Sequence, residues 1–294
     1  MEQVVKSVNN KKGYSLFIFI VIVLASGWLG VFVDSILTEQ PEGDTLGMGL
    51  FIILPFISML IIRLVTRDWK DIGIKLNLVG NGKWYLAALG AYPVVMMVTV
   101  GLALLLGGSS ISDFDWKVVA SVVGVSFAGN ILKNIFEEFS WRGYLTPKLI
   151  ERKLNDWAIY LISGLVWALW HAPYYMVFLP DHFFETLSRT GFVLTGCVLM
   201  TAWTIMYVEI YRLTKSVWPC ILMHAAEDAI PTLLVTISGI ITFTKTAGFW
   251  LDPTTGVVTT ALFIAIGLAL RSVRRKVENR AQAVSSQVHM EASF

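Results

Sequence analysis

The sequence predicts an all-α, polytopic transmembrane helical bundle of about eight spans in one integral membrane domain, 1–294, with both termini in the cytoplasm. Three observations predict it. The 294 residues are 55% hydrophobic and only 15% charged, too apolar for an ordinary soluble domain. The apolar residues fall in blocks of about twenty, the length that crosses a hydrocarbon core of ~30 Å at ~1.5 Å per residue. The lysines and arginines lie almost wholly on one side of the resulting alternation.

The spans are expected at about 15–37, 46–65, 84–106, 117–141, 157–178, 191–210, 217–243 and 254–270. Lys6, Lys11 and Lys12 precede the first, as in a signal peptide, but its apolar run from Leu16 to about Leu37 exceeds the roughly 7–15 residues of a cleaved segment, so it is expected to be retained. Turn-rich or charged pieces such as TEQPEGDT, GGSSISDFDW and FLPDHFF separate the blocks, and no internal repeat is visible. Residues 271–294 form a polar cytoplasmic tail whose last residues, EASF, are not a lipidation box. Cys197 and Cys220 fall inside predicted spans as small apolar side chains, with no spacing that implies a disulfide framework.

Orientation follows from charge. With the N-terminus in the cytoplasm, nineteen of the 23 Lys and Arg residues fall in cytoplasmic segments. Only Lys117, Arg189 and Lys245 lie outside, and Lys133 lies within a span. The opposite orientation would invert this bias.

Few strongly polar side chains lie at depth, where each is costly and marks a site by default. Glu137 and Glu138 lie in the fourth span, His171 in the fifth, and His224, Glu227 and Asp228 in the seventh. Asn130, Asn134, Glu137 and Trp141 recur at steps of three or four and share a helix face. Glu138 and Arg142 are four apart, a spacing for an ion pair along the helix, and Glu137 points about 100° away from Glu138. His224 and Asp228 are also four apart, and Trp167 lies four before His171, where it could wall the site. Two imidazoles and a free carboxylate in an apolar cavity suit hydrolysis, the carboxylate taking a proton from water and a histidine orienting that water or stabilising an oxyanion. Pro173 and Pro231, just past the two histidines, are expected to kink their helices near the site.

These residues carry a resemblance. FEEFSWRG resembles the EExxxR motif of the CPBP family of intramembrane endopeptidases, which process CAAX proteins and bacteriocins. WALWH is similar to its FxxxH motif, with Trp167 where Phe is usual, and HAAED to its HxxxN motif, with Asp228 where Asn is usual. RDWKDIGIKLN and KSVWPCILMHA also resemble stretches of that family, and 134–228 would be the motif-bearing catalytic core. The resemblance implies a helical intramembrane protease in the cell membrane. Glu137 would be its general base, His171 would help to activate water, His224 and Asp228 would stabilise the oxyanion, and Glu138 and Arg142 would support them. It implies a peptide or membrane-protein substrate, possibly lipidated, the bilayer as surroundings, and no nucleic acid.

Asp228 is a departure that matters, because an ionised Asp cannot donate a hydrogen bond as Asn does. It would have to be protonated, accept from His224, or ligate a metal. The expectation is metal-free chemistry with no cofactor. The alternative is a zinc site built from Glu137, His171 and His224, although no HExxH helix is present. The departures at Asp228 and Trp167 also leave open a non-catalytic immunity or partner-binding membrane protein of the same fold. A proton-coupled transporter is a third reading, lowered by the lack of repeats. One depth does not close: His171 is about fifteen residues beyond Asp156, or ~22 Å along a helix, whereas Glu137 and His224 look shallower.

Overall fold

A computed structural model of the chain describes residues 2–37, 39–41, 45–184 and 187–291, with side chains only within 14–284 and without that of His182. The side chains of Lys6, Lys11, Lys12, His182 and His289 and part of TEQPEGDT therefore lie outside the described residues. The fold is an α-helical bundle, and among the described residues eight helices are long and apolar enough to cross a membrane. They are Tyr14–Ile36, Leu46–Thr66, Gly82–Leu105, Trp116–Glu151, Asp156–Phe178, Arg189–Thr214, Trp218–Ile237 and Val257–Val284.

The chain runs through α1 (Glu2–Ile36), α2 (Leu46–Thr66), α3 (Gly82–Leu105), β1 (Ser109–Ile111), α4 (Trp116–Ser140), α5 (Thr146–Glu151), α6 (Asp156–Trp170), α7 (Arg189–Thr214), α8 (Trp218–Glu227), β2 (Ile241–Phe243), α9 (Lys245–Leu251) and α10 (Val257–Glu291). Short polar residues set several starts by accepting from backbone N–H groups that a helix leaves unpaired. Thr45 accepts from Met48 at 3.1 Å, Asp115 from Lys117 at 2.8 Å, Asn155 from Ala158 at 2.9 Å and Ser188 from Gly191 at 3.1 Å. The α1–α2 hairpin closes on Asp34, which accepts from the Thr45 hydroxyl at 2.6 Å and the Gly47 amide at 2.8 Å. Gly164 lets α6 approach α7, since a Cβ there would strike the backbone of Thr201.

The fourth and eighth spans run well past their expected C-terminal ends. The fourth span does not end near Trp141 but continues through a π-helical turn, Trp141–Leu145, into α5. Arg142 looks like a helix-end anchor in sequence, yet it is buried, its charge met by Glu138 inside the bundle. The eighth helix likewise continues past Arg271 through most of the polar tail. Asp156 at the start of α6 holds it there, accepting from Arg212 at 2.7 Å, Arg271 at 2.7 Å, Arg274 at 2.9 Å and Arg275 at 3.0 Å. Arg274 also donates to Glu209 at 2.5 Å, and Tyr160 donates to the same carboxylate. The seventh span is shorter than predicted. It stops at Ile237, and the next residues form β2, which pairs antiparallel with β1 with Ser110 opposite Thr242.

The loop between α2 and α3 seats on the start of α8. The Val217 amide donates to the Gly73 carbonyl at 2.9 Å, the Trp218 indole to Ile74 at 2.8 Å, and the Tyr211 hydroxyl to Asp71. Gly73 has a φ of 72°, and a Cβ there would come within 2.9 Å of Val217. The two lead-in stretches singled out in the sequence, RDWKDIGIKLN and KSVWPCILMHA, thus dock on each other and fix where α8 begins.

Candidate functional site

The depth mismatch between Glu137 and His171 closes because of the long fourth span. Glu137 is fourteen residues from the end of α5 at Glu151, and His171 is fifteen from the start of α6 at Asp156. At ~1.5 Å per residue both rise ~21–22 Å from the tight turn that joins these helices. The polar residues also sit where α-helical geometry gives way. Arg142 lies in the π-helical turn after α4, and His171 caps α6 just before Pro173 and a second such turn, Tyr174–Phe178. Asp228 opens a π-helical stretch, Asp228–Ile237, that contains Pro231. Such wider turns recur at functional sites and loosen the helix where side chains must converge.

Glu138 is the anchor, completely buried. It accepts both its contacts from Arg142 at 3.0 and 3.1 Å, and its Oε1 lies 2.9 Å from His224 Nδ1. A carboxylate held by a guanidinium can only accept, so Nδ1 carries a proton and Nε2 is the nitrogen left for a ligand. The Arg142 guanidinium lies over the rings of Trp167, 4.7 Å away, and Tyr207, 4.1 Å away. His224 packs edge-on to the same two rings. Trp167 therefore walls the site as the sequence predicts. Tyr207 was not foreseen, because it lies in a continuous apolar and aromatic stretch of α7 with nothing to single it out.

Glu137 is buried, 4% exposed, and its charged or titratable neighbours are Lys133, His224, His171 and Asp228. Its Oε2 has no hydrogen-bond partner among the described residues. A buried carboxylate oxygen without a partner is costly and marks a group kept for a ligand. His171 Nδ1 lies 3.0 Å from the Trp167 carbonyl. That oxygen can only accept, so Nδ1 holds the proton and Nε2 the lone pair. The ring packs between Trp170, 4.6 Å away, and Tyr175, stacked at 5.9 Å.

Asp228 is not the acceptor that orients His224. It accepts from Asn134 Nδ2 at 2.9 Å and pairs with Lys133 Nζ at 3.0 Å. The partner that orients His224 is Glu138, not Asp228. Lys133 also approaches Glu137, at 3.7 Å. Of the face read from the sequence, Asn134 and Glu137 join the site. Asn130 instead donates to Ser126, and Trp141 packs against Trp170 at 5.4 Å.

Among the described residues, the group close enough to share a metal ion is His224, Glu227 and Asp228, with ligating atoms within 4.8 Å of one another. This differs from the expected set of Glu137, His171 and His224. One oxygen of each carboxylate is already engaged. Asp228 already holds the Lys133 ammonium, which would repel a metal at that oxygen, and Glu227 accepts from the Thr232 hydroxyl at 2.5 Å.

Residues 118–230 match the family model described as Rce1-like, Type II CAAX prenyl endopeptidase Rce1-like. The matched segment contains all three motifs and supports the resemblance to the CPBP intramembrane proteases. A search of curated proteins gave no match. With eight long apolar helices the chain is a multi-pass membrane protein, and its residues 118–230 are similar to the CAAX-type intramembrane proteases.

Proposed function

We propose that the protein is an intramembrane endopeptidase that uses Glu137, without a metal, to hydrolyse a peptide bond within the membrane, ~21–22 Å from the turn that joins α5 and α6, rather than near the cytoplasmic face as the sequence suggests. The observation that carries this reading is the unpartnered, buried Glu137 oxygen among two histidines. Glu137 takes a proton from water while the lone pair of His171 Nε2 orients it. The hydroxyl oxygen bonds to the carbonyl carbon, and the carbonyl π pair moves onto oxygen. His224 acts as an imidazolium, its Nδ1–H on Glu138 and its Nε2–H donated to that oxyanion, and Asp228 shapes the same side of the site. Collapse breaks the C–N bond, and the leaving amine takes the proton from Glu137. Arg142 keeps Glu138 ionised and so keeps His224 oriented.

The substrate class follows from the setting: a peptide presented at the membrane. The matched family makes a lipid-bearing C-terminal peptide the first to try. Protein purified in detergent should cleave such a peptide, or a membrane-anchored one, at the same rate with and without a zinc chelator. Folded protein that cleaves none of them would overturn the peptidase reading. Loss of cleavage in chelator, restored by zinc, would overturn the metal-free mechanism.

A further inference from the structure

Lys133 lies one helical turn before Glu137 on α4, and neither the motifs nor the mechanism above gives it a task. Its ammonium is 3.0 Å from Asp228 and 3.7 Å from Glu137, and its side chain is one-third exposed while Glu137 is buried and Asp228 is 16% exposed. It is also an electrostatic neighbour of His171 and Tyr174, so its charge faces the site from several sides. An ammonium has three protons. Asp228 at 3.0 Å takes one, while Glu137 at 3.7 Å lies beyond hydrogen-bond range, which leaves protons to meet an incoming oxygen. Asp228, in contrast, accepts from Asn134 and Lys133 and has nothing to donate. An oxyanion beside His224 needs donors, and the donor at this position is the lysine rather than the aspartate.

We propose that Lys133 and Asp228 act as a unit in which Asp228 positions the Lys133 ammonium to stabilise the oxyanion of the tetrahedral intermediate. The proposal rests on the peptidase reading and deepens it. As the water oxygen bonds to the carbonyl carbon, the π pair shifts to the carbonyl oxygen. That oxygen accepts a hydrogen bond from Lys133 Nζ, and the lysine keeps its proton throughout. When the C–N bond breaks, the pair returns to the carbonyl and the amine takes its proton from Glu137. Pairing with Asp228 keeps the lysine charged and aimed, and the lysine keeps the carboxylate from standing uncompensated.

Four proteins test this: wild type, Lys133→Met, Asp228→Asn and the double variant Lys133→Met with Asp228→Asn. Each is assayed for kcat and KM on a membrane-anchored peptide and for thermal unfolding. Asp228→Asn retains the ammonium and should keep at least about a tenth of wild-type kcat. The double variant lacks the ammonium but holds no stranded charge, so it should fold. Its kcat should fall about tenfold or more below that of Asp228→Asn, with KM within about threefold. Lys133→Met should be the least active, with kcat down about a hundredfold or more, the usual loss for one oxyanion donor. A double variant as active as Asp228→Asn would overturn the proposal, as would a loss carried by KM alone. Should Lys133→Met not fold, the comparison between the double variant and Asp228→Asn still decides. Wild type that cleaves nothing, or a Glu137→Gln variant that cleaves normally, would instead overturn the peptidase reading itself.

Discussion

Glu137→Gln is expected to lower kcat for peptide cleavage about a thousandfold, the middle of the range for a general base, while leaving thermal stability nearly unchanged. The change is isosteric and removes a charge whose Oε2 has no hydrogen-bond partner among the described residues, so folding loses little. The chemistry loses its proton acceptor, and the barrier rises by about 4 kcal/mol. Lys133 gives up only a 3.7 Å contact and keeps Asp228 at 3.0 Å, so the lysine does not become a stranded charge. The measurement is single-turnover cleavage beside a thermal melt. A variant that cleaves at the wild-type rate would remove Glu137 from the mechanism. One that fails only because it unfolds would show that the carboxylate is structural.

Arg142→Met is expected to act in the opposite order, on stability first. Arg142 is 1% exposed and holds the fully buried Glu138 with two contacts, while its guanidinium lies over Trp167 and Tyr207. Removing it strands a carboxylate whose other partner is His224. Breaking a buried pair from one side costs roughly 3–5 kcal/mol, and the loss of two cation–π contacts adds to it. The melting temperature should fall steeply, and the protein that remains folded should cleave slowly because His224 is no longer held. Arg142→Lys should rescue poorly, since a single ammonium cannot reproduce the flat fork that meets both oxygens and stacks on two rings. A melt unchanged by Arg142→Met would contradict the anchoring role of Glu138.

What the sequence made legible was whatever depends on local period or on length. Apolar blocks long enough to span a bilayer correspond to the eight helices, and the four-residue steps from Glu138 to Arg142 and from Trp167 to His171 reappear as an ion pair and a ring wall. What was hidden depends on pairing between helices. The ends of the fourth and eighth spans were misplaced because Arg142 and Arg271 look like residues at a membrane face. In the fold their charges are met by Glu138 and by Asp156, the latter 115 residues away from Arg271. Asp228 looked like the companion of His224 because they are four apart, but Asn134 and Lys133, far away in sequence, reach it instead. The three-residue strands β1 and β2 are too short to show any alternation, and only their pairing defines them.

The central claim is that Glu137 and His171, on different helices, act on one and the same water. A double-mutant cycle tests it most directly, with kcat/KM measured for Glu137→Gln, His171→Ala and the two together. Residues that work as a unit are strongly non-additive, so the double variant should be no more than about threefold slower than the slower single variant. Losses that multiply, each change costing its full factor in the presence of the other, would mean that the two groups serve separate steps or separate sites.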